Sequence, residues 1–257
     1  MEHTFFKYQG TGNDFVMIDD RQARWDLGNT DAVQALCHRK FGIGADGLIL
    51  LRAHADYDFE VVYYNADGSQ SFCGNGARCA VAFAAFLGII DHKTQFLAID
   101  GPHEAVIREG LVELKMGDVS SISESLGDAF VHTGSPHHVR WVENLESYPV
   151  LDQGQELRHH ACYAPGGTNV NFVELVGEQE IKVRTFERGV ENETLSCGTG
   201  VTAAALVFGE RQHRNSVLVH TPGGTLRVIF AGNAQEGFHD IWLIGPAEQV
   251  FSGTITA

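Results

Sequence analysis

The sequence contains a short cysteine–glycine motif twice, each time followed by an apolar stretch of small residues. The first copy reads CGNG at 73–76 and continues as ARCAVAFAAFL at 77–87, and the second reads CGTG at 197–200 and continues as VTAAALVF at 201–208. Stretches that are apolar nearly all round are typical of buried helices. Each motif therefore predicts a cysteine and two glycines at the N-terminus of a buried helix.

The segments on both sides of the two motifs repeat as well. A run rich in β-branched and aromatic residues precedes each motif, and such runs are typical of strands. These runs are DFEVVYY at 58–64 and EIKVRTF at 180–186, with turn regions at 65–68 and 189–194. The two motif cysteines are 124 residues apart (197 minus 73), close to half of the 257 residues. The repeat therefore predicts a tandem duplication of two similar α/β halves, with a ligand-binding cleft between them.

We place the boundary between the halves near 117–118, which gives domains at 1–117 and 118–246, and we expect 247–257 to return to the first domain. Further predictions are strands at 5–8, 15–19, 48–51, 95–99, 104–107, 111–116, 130–133, 139–142, 169–176, 216–220, 225–230, 240–243 and 250–255, with turns at 100–102 and 221–224. A short helix is predicted at 30–40, with Asn29 or Thr30 as the N-cap.

The composition limits the possible partners. Hydrophobic residues make up 44% of the chain and charged residues 20%, which is ordinary for a globular protein. The net charge of −15 disfavours binding to nucleic acid or to an anionic membrane. The first 14 residues lack a signal-peptide core, and the longest apolar stretch is too short to span a bilayer. We therefore expect a cytoplasmic protein with a small-molecule substrate, and we keep a homodimer as an open alternative to a monomer.

Cysteine and histidine spacing predicts neither a disulfide framework nor a metal site. The number of cysteines is odd, and no two have CxxC spacing: they are Cys37, Cys73, Cys79, Cys162 and Cys197. The adjacent histidine pairs at 137–138 and 159–160 would point to opposite faces of a strand, which does not suit shared ligation of a metal. We expect Cys37, Cys79 and Cys162 to be small core residues.

A cysteine that precedes glycines and the start of a helix is suited to acid/base chemistry. The free N–H groups and the helix dipole favour the thiolate, and the same N–H groups can bind a carboxylate. If the two motifs converge on one cleft, Cys73 and Cys197 could approach the α-carbon of an amino acid from opposite faces. One thiolate would remove the α-proton and the other thiol would supply a proton, which inverts the centre without a cofactor. The repeated motif therefore indicates an amino-acid racemase or epimerase.

Several motifs, in this order, resemble the diaminopimelate epimerase family over nearly the whole chain. They are TGNDF at 11–15, GIGADG at 42–47, NADGS at 65–69, CGNGARC at 73–79, NVNF at 169–172 and ERG at 187–189 with CGTG at 197–200. The resemblance implies an α/β (α+β) fold of two pseudo-symmetric domains, each a mainly antiparallel sheet wrapped around a central buried helix. It also implies interconversion of LL- and meso-diaminopimelate in bacterial lysine and peptidoglycan precursor synthesis, with neither pyridoxal phosphate nor a metal.

The resemblance further implies roles for individual residues. Cys73 and Cys197 match the catalytic pair. Residues that match substrate-binding positions are Asn13, Asn65, Asn169, Glu187 and Arg188, together with the backbone N–H groups of Gly74, Asn75, Gly198 and Thr199. Arg188 would clamp the distal carboxylate of the substrate. From the residues alone, Asn13 and Asn65 also suit turns, Glu187 and Arg188 also suit a surface ion pair, and Asn171 shares a strand face with Asn169.

Two positions depart from the family pattern. Ser135 stands where the family has the asparagine of an Asn-Pro-His segment, so one hydroxyl replaces an amide. Gly47 stands where some members carry a glutamine ligand. His137, which completes the altered segment, suits either polarisation of a catalytic thiol or a plain loop position.

Four alternatives stay open at this point. A proline racemase or hydroxyproline epimerase also uses paired cysteines, but its cyclic substrate offers no distal carboxylate to Arg188. The phenazine-biosynthesis isomerases share the fold but lack the paired thiols. A non-catalytic module that binds a small anion would not need Cys73, and a thiol redox protein would need Cys73 and Cys197 within disulfide distance.

Overall fold

The computed structural model describes residues 2–256, which fold into two compact units. The first, called here the Cys73 unit, comprises residues 2–114 and 245–256 of this described part. The second, called the Cys197 unit, comprises Lys115–Ile244. Each unit contains the same order of elements around its motif: a strand, a cysteine, a buried helix and a β-hairpin.

The Cys73 unit is a mainly antiparallel sheet packed around one helix. Its elements are β1 (Glu2–Gly10), β2 (Asn13–Asp19), α1 (Thr30–Cys37), β3 (Gly47–Arg52), β4 (Phe59–Asn65), α2 (Gly74–Phe86), β5 (Lys93–Ala98), β6 (Gly101–Arg108), β7 (Leu111–Lys115) and β17 (Glu248–Thr256). The pairs β17–β1, β1–β2, β3–β4, β5–β6 and β6–β7 are antiparallel, whereas β2–β3 and β4–β5 are parallel. Helix α2 packs against β1, β2, β3, β4 and β6.

The Cys197 unit follows the same plan. Its elements are β8 (Ile122–Ser125), β9 (Asp128–His132), β10 (Pro136–Trp141), α3 (Val150–Arg158), β11 (Asn169–Gly177), β12 (Glu180–Glu187), β13 (Asn192–Thr194), α4 (Gly198–Gln212), β14 (Ser216–Thr221), β15 (Gly224–Asn233) and β16 (Gly237–Gly245). The pairs β10–β11 and β12–β14 are parallel, and β8–β9, β9–β10, β11–β12, β12–β13, β14–β15 and β15–β16 are antiparallel. Helix α4 packs against β9, β10, β11, β12, β14 and β15.

Small residues allow the two central helices to be enclosed by sheet. In α2, Ala80 and Ala84 are fully buried, and the Phe83 ring packs against the rings of Phe6 and Tyr8. In α4, a Cβ atom at Gly209 would lie 2.4 Å from both the Phe230 ring and a backbone carbonyl, so only glycine fits there. Both cysteine motifs are thereby fixed at the starts of rigid, buried helices.

The predicted class, a mixed α/β fold dominated by sheet, is confirmed, while several details differ. Helix α1 ends at Cys37 instead of residue 40, and Asn29 is its N-cap, accepting a bond of 3.1 Å from the Ala32 N–H. Strand β10 starts at Pro136, three residues before the predicted start. Strands β8 and β13 and helix α3 were not predicted: β8 and α3 present few apolar residues, and β13 is a short polar strand within the predicted turn region at 189–194. Across the described residues, none of the helices is long and apolar enough to cross a membrane.

Candidate active site

Cys73 occupies the N-cap position of α2. Its backbone is extended (φ −134°, ψ 114°), and its Sγ accepts a hydrogen bond of 3.5 Å from the Gly76 N–H. The thiol is partly exposed and lies at the positive end of the helix dipole. A thiolate at this position is stabilised both by the N–H donor and by the dipole.

Asn13 lies beside the Cys73 thiol with its amide held in one orientation. The Asn13 Nδ2 donates to the Asp46 carboxylate over 2.6 Å. The Asn13 Oδ1 therefore faces the helix, where it accepts from the Cys73 thiol and from the Asn75 Nδ2, both over 3.4 Å. The structure thus brings together Cys73, Asn13 and Asn75, and it adds Asp46, which sequence reasoning missed.

Asp46 belongs to an ion-pair cluster at the start of the sheet. Arg39 binds Asp14 and Asp46 over 2.7 and 2.6 Å, and Lys7 binds Asp14 over 2.5 Å as well as the carbonyl of Gly44. Burial alone would raise the pKa of Asp14, but the bonds from Arg39 and Lys7 lower it to about 2. The cluster keeps Asp14 ionised and fixes the loop that carries Asp46. Its sequence signal was present, since Asp14 and Asp46 lie in two of the motifs quoted above.

Asn65 closes the turn that follows β4. Its Nδ2 donates to the Ser69 and Ser71 hydroxyls over 3.0 and 3.2 Å, and its Oδ1 accepts from the Tyr63 hydroxyl over 3.0 Å. In this structure Asn65 therefore makes the contacts of a turn residue, which is one of the two interpretations that the sequence allowed. Ser71 and Tyr63 also line a hollow that reaches Cys73, so Asn65 stabilises one wall of that hollow.

Gly47 cannot carry a side chain in this fold. A Cβ atom there would lie 2.4 Å from the Tyr63 ring and 2.4 Å from the Tyr64 carbonyl. The space that a glutamine would need is taken by Tyr63, which explains the departure at this position.

Cys197 occupies the N-cap position of α4, in the same backbone region as Cys73 (φ −117°, ψ 111°). It is buried, with 8% of its surface exposed, and its Sγ lies 3.5 Å from the Thr199 hydroxyl. The backbone of Thr199 is in turn fixed, because its carbonyl accepts from the Thr133 hydroxyl over 2.8 Å.

His137 connects to Cys197 through Thr199. Its Nε2 lies 2.9 Å from the hydroxyls of both Thr199 and Ser135. Its Nδ1 lies 3.0 Å from the Asn171 Nδ2, which also donates to the His138 carbonyl. Because the amide nitrogen of Asn171 can only donate, Nδ1 must accept and Nε2 carries the proton.

His137 is neutral in this environment. Full burial lowers its pKa to about 3, and the nearby side chains of His132 and Arg188 act in the same direction. His137 lies on β10, so of its two predicted alternatives the loop position is wrong. The Thr199 hydroxyl, to which its Nε2–H donates, links it to the thiol. The Thr199 proton is thereby directed away from His137.

Asn169 and Asn171 differ in what their amides bind. Asn171 is fully buried, and its Oδ1 accepts from the Thr185 hydroxyl over 3.0 Å, so its amide is used within the core. Asn169 donates to the Ser135 hydroxyl over 3.2 Å and accepts from the Arg188 backbone N–H over 2.8 Å. A chain of side-chain contacts thus links Asn169, through Ser135 and Thr199, to Cys197.

Glu187 and Arg188 lie where β12 ends. The Glu187 carboxylate accepts from the Thr194 hydroxyl over 2.8 Å, and the Arg188 side chain is exposed. Glu191 closes the turn after Arg188, since its carboxylate accepts from the Gly189 N–H over 3.0 Å and pairs with Arg158 over 2.9 Å. Arg158 and Glu191 were not predicted, and no motif signalled them.

The backbone N–H groups at the starts of α2 and α4 lie in the first turn of a helix, where there are no intrahelical acceptors for them. Gly74, Asn75, Gly198 and Thr199 all lie in these first turns. At Gly200, a Cβ atom would lie 2.3 Å from the Asn171 Oδ1, so glycine lets α4 approach β11 closely.

The remaining thiols divide into two kinds. Cys37 and Cys79 are buried, as predicted, whereas Cys162 is exposed, so its predicted core position is wrong. Cys162 lies in a short 3-10 turn, with its Sγ 3.1 Å from the His160 ring. His159 and His160 follow α3 and do not lie on a strand, contrary to our assumption.

Comparison with solved structures defines the class of fold. A phenazine biosynthesis protein of the PhzF family from Bacillus anthracis is similar over 100% of both chains, with a TM-score of 0.79 and 12% identity. A hydroxyproline epimerase from Agrobacterium vitis is similar over 99% of this chain and 92% of its own, with a TM-score of 0.70 and 14% identity. The chain therefore has the fold that epimerases and phenazine-biosynthesis proteins share.

Sequence comparison narrows this class to one family. The model of the diaminopimelate epimerase family matches residues 5–122 and 129–250. The diaminopimelate epimerase of Flavobacterium psychrophilum is 48% identical over 97% of this chain and 99% of its own, and that of Chlorobaculum tepidum is 44% identical over 96% and 99%. The chain belongs to the diaminopimelate epimerase family. The prediction of an isomerase that epimerises an amino acid is confirmed.

Proposed function

We propose that this protein interconverts LL- and meso-diaminopimelate, using Cys73 and Cys197 as the acid/base pair. The observation that carries the proposal is a family match over nearly the whole chain, in which both motif cysteines cap buried helices. The reaction would supply meso-diaminopimelate for bacterial lysine and peptidoglycan precursor synthesis.

In the proposed mechanism the two thiols exchange roles with the direction of the reaction. One thiolate takes the α-proton, and the electron pair of the broken C–H bond moves into the adjacent carboxylate. The other thiol then gives its proton to the opposite face of the α-carbon. The first thiol ends protonated and the second ends ionised, so charge and protons balance and no cofactor is needed.

We propose that backbone N–H groups stabilise the charge that develops on the reacting carboxylate. Gly74 and Asn75 begin α2, and Gly198 and Thr199 begin α4, where N–H groups and the helix dipole both favour an anion. This support costs no reorganisation during the reaction, because both helices are buried and fixed.

We propose that the distal end of the substrate is held at the end of β12. The exposed guanidinium of Arg188 suits a bidentate pair with the distal carboxylate, and Glu187 suits the distal ammonium group. Asn169 supports this end by holding the Arg188 backbone. Ser135 donates one hydroxyl where the family pattern has an amide, so we expect a weaker contact there.

Two further properties follow from the proposed chemistry. Both thiols must stay reduced, so we propose that the enzyme works in the cytoplasm, where disulfides are rare. A homodimer stays a prediction, and light scattering of the purified protein would test it.

The test of function is proton exchange in D₂O. The reduced protein is incubated with LL-diaminopimelate, and NMR follows the α-proton and the appearance of the meso isomer. We expect deuterium entry and epimerisation with the wild type and with Cys162→Ser, and loss of epimerisation with Cys73→Ala and with Cys197→Ala.

Other outcomes would contradict the proposal in distinct ways. No exchange by the folded, reduced wild type would exclude diaminopimelate as a substrate, and the same experiment with proline and hydroxyproline would test the cyclic alternatives. Full epimerisation by either alanine variant would exclude the two-thiol mechanism while leaving the substrate intact.

A further inference from the structure

Arg78 is a fully buried cation close to the start of α2. Its side chain has no exposed surface, although arginine is one of the residues least often buried without a partner. Its Nη2 donates to the Asn75 Oδ1 over 3.0 Å and to the Thr11 hydroxyl over 3.3 Å. Among the described residues, its Nε and Nη1 have no hydrogen-bond partner. Burying an isolated charge costs folding free energy, so a nearby negative group is expected to compensate for the Arg78 cation.

The groups that bear electrostatically on Arg78 are thiols. Burial lowers the pKa of the guanidinium, and the thiols of Cys79 and Cys73 act against that shift. Burial raises the pKa of Cys79 to about 12, so Cys79 is neutral near pH 7. The Tyr8 hydroxyl on β1 is neutral there too, because burial raises its pKa to about 12. Cys73 is the remaining group of this set that can become an anion.

Several other charged groups on the strands around α2 are engaged in ion pairs. Asp14 on β2 pairs with Lys7 on β1 and with Arg39, and Arg52 on β3 pairs with Asp20. On β6, Glu104 pairs with Lys93, Arg108 with Glu113 and His103 with Asp100. The titratable groups of β4 are Glu60, Tyr63 and Tyr64.

A hydrogen-bonded chain links Arg78 to the Cys73 thiol. Arg78 binds the Asn75 Oδ1, which directs the Asn75 Nδ2 toward the Asn13 Oδ1 over 3.4 Å. The same Asn13 oxygen accepts from the Cys73 thiol over 3.4 Å. Loss of Arg78 would therefore free the Asn75 amide to rotate and disturb the contact at the thiol.

The second repeat lacks this cation. Arg78 lies five positions after Cys73, and the residue five positions after Cys197 is Thr202. Thr202 is fully buried and neutral, and its hydroxyl donates to the Gly198 carbonyl over 3.0 Å. The cation therefore belongs to the surroundings of one motif cysteine and not to those of the other.

We propose that Arg78 is a positioning residue whose buried cation favours the thiolate of Cys73 and whose hydrogen bonds hold the Asn75–Asn13 pair at that thiol. This inference rests on the proposed acid/base role of Cys73. The compensation for the buried cation is thus the negative charge that Cys73 carries in one of its two protonation states.

The test measures how readily Cys73 ionises, without any substrate. In a Cys162→Ser, Cys197→Ala background, iodoacetamide alkylation of Cys73 is followed by peptide mass spectrometry across pH 6 to 10, a range of about four units around the usual thiol pKa of ~8.5. We expect Arg78→Met and Arg78→Gln to move the midpoint upward by about one pH unit or more, and Arg78→Lys to restore most of that shift.

Two controls separate this role from a structural one. Cys197 in a Cys73→Ala, Cys162→Ser background should keep its midpoint when Arg78→Met is added. The melting temperature of Arg78→Met should fall by no more than about 3 °C, because methionine fills similar space and removes a costly buried charge.

Three results would overturn the proposal. They are an unchanged Cys73 midpoint in folded Arg78→Met and Arg78→Gln, an equal shift at Cys197, and failure of both variants to fold, which would make Arg78 a structural residue. Since alkylation needs no diaminopimelate, a failed epimerase assay would leave this test intact.

Discussion

Replacing Thr199 by valine removes one hydroxyl from the Cys197 unit while keeping the shape of the side chain. That hydroxyl lies 3.5 Å from the Cys197 Sγ, 2.9 Å from the His137 Nε2 and 3.2 Å from the Ser135 hydroxyl. Since His137 is neutral and donates through Nε2, Thr199 accepts from the ring, and its own proton can point to the sulfur. Thr199→Val should therefore remove a donor to the Cys197 thiolate.

The expected magnitude follows from what each lost contact is worth. The His137 N–H can pass to the Ser135 hydroxyl, also at 2.9 Å, so the free energy of unfolding should fall by only about 1 kcal/mol. A hydrogen bond to a charged group is worth about 1.5–3 kcal/mol, so kcat/KM should fall about 10- to 100-fold. The variant should thus remain folded while its kcat/KM falls strongly.

The assay is the initial rate of epimerisation of LL-diaminopimelate, with thermal unfolding of the same samples. Thr199→Ser is the matched control, since it keeps the hydroxyl, and its kcat/KM should stay within about threefold of the wild type, well under the loss of one charged hydrogen bond. The alkylation midpoint of Cys197 should move to higher pH in the valine variant alone. A valine variant with wild-type kcat/KM would refute the assignment of Thr199 as a thiolate donor.

Two further predictions concern the thiols and the buried histidine. Iodoacetamide should label the exposed Cys162 faster than the buried Cys37 and Cys79, yet Cys162→Ser should keep the kcat of the wild type, and a loss of activity in that variant would assign Cys162 a role that its position does not suggest. His137 has a pKa of about 3 in the fold and ~6.5 in the unfolded chain, so its stabilising effect is complete above pH 6.5 and is lost as pH falls toward 3. Urea denaturation gives the free energy of unfolding at pH 7 and at pH 5 for both proteins. The decrease between these pH values should therefore be up to ~2 kcal/mol smaller for His137→Gln than for the wild type. Equal decreases would contradict neutral burial of His137.

Much of the fold could be predicted because its signals are local. The apolar stretches after the two cysteine motifs gave both buried helices, and runs of β-branched residues gave most strands. Helix α3 was missed because its inward face consists of Val150, Gly154 and Leu157, which is too short a pattern to stand out. Strand β10 starts three residues before its predicted start, at Pro136, because proline is tolerated as the first residue of a strand.

The contacts of the site depend on pairings that the sequence does not display. Asp46 reaches Asn13 because β2 and β3 are parallel, with Phe15 opposite Gly47, and this register places two segments 32 residues apart side by side. Likewise, His137 meets Asn171 because β10 and β11 pair in parallel. Motifs could indicate which residues matter, but only the strand register determines what each of them touches.

The duplicated motif places each thiol at the N-terminus of a buried helix. Any difference between the two thiols must therefore come from their neighbours. At Cys73 the Asn13 carbonyl can only accept, which favours the thiol, and in our proposal the Arg78 cation favours the thiolate. At Cys197 one hydroxyl can serve both states, because the Thr199 oxygen accepts from a thiol and its proton donates to a thiolate. An acid/base pair whose protonation states swap in every turnover needs support for both protonation states at both cysteines. The two repeats therefore meet the same chemical requirement with different residues, and for that reason the likeness of the two motifs predicts the chemistry but not the groups that control each proton.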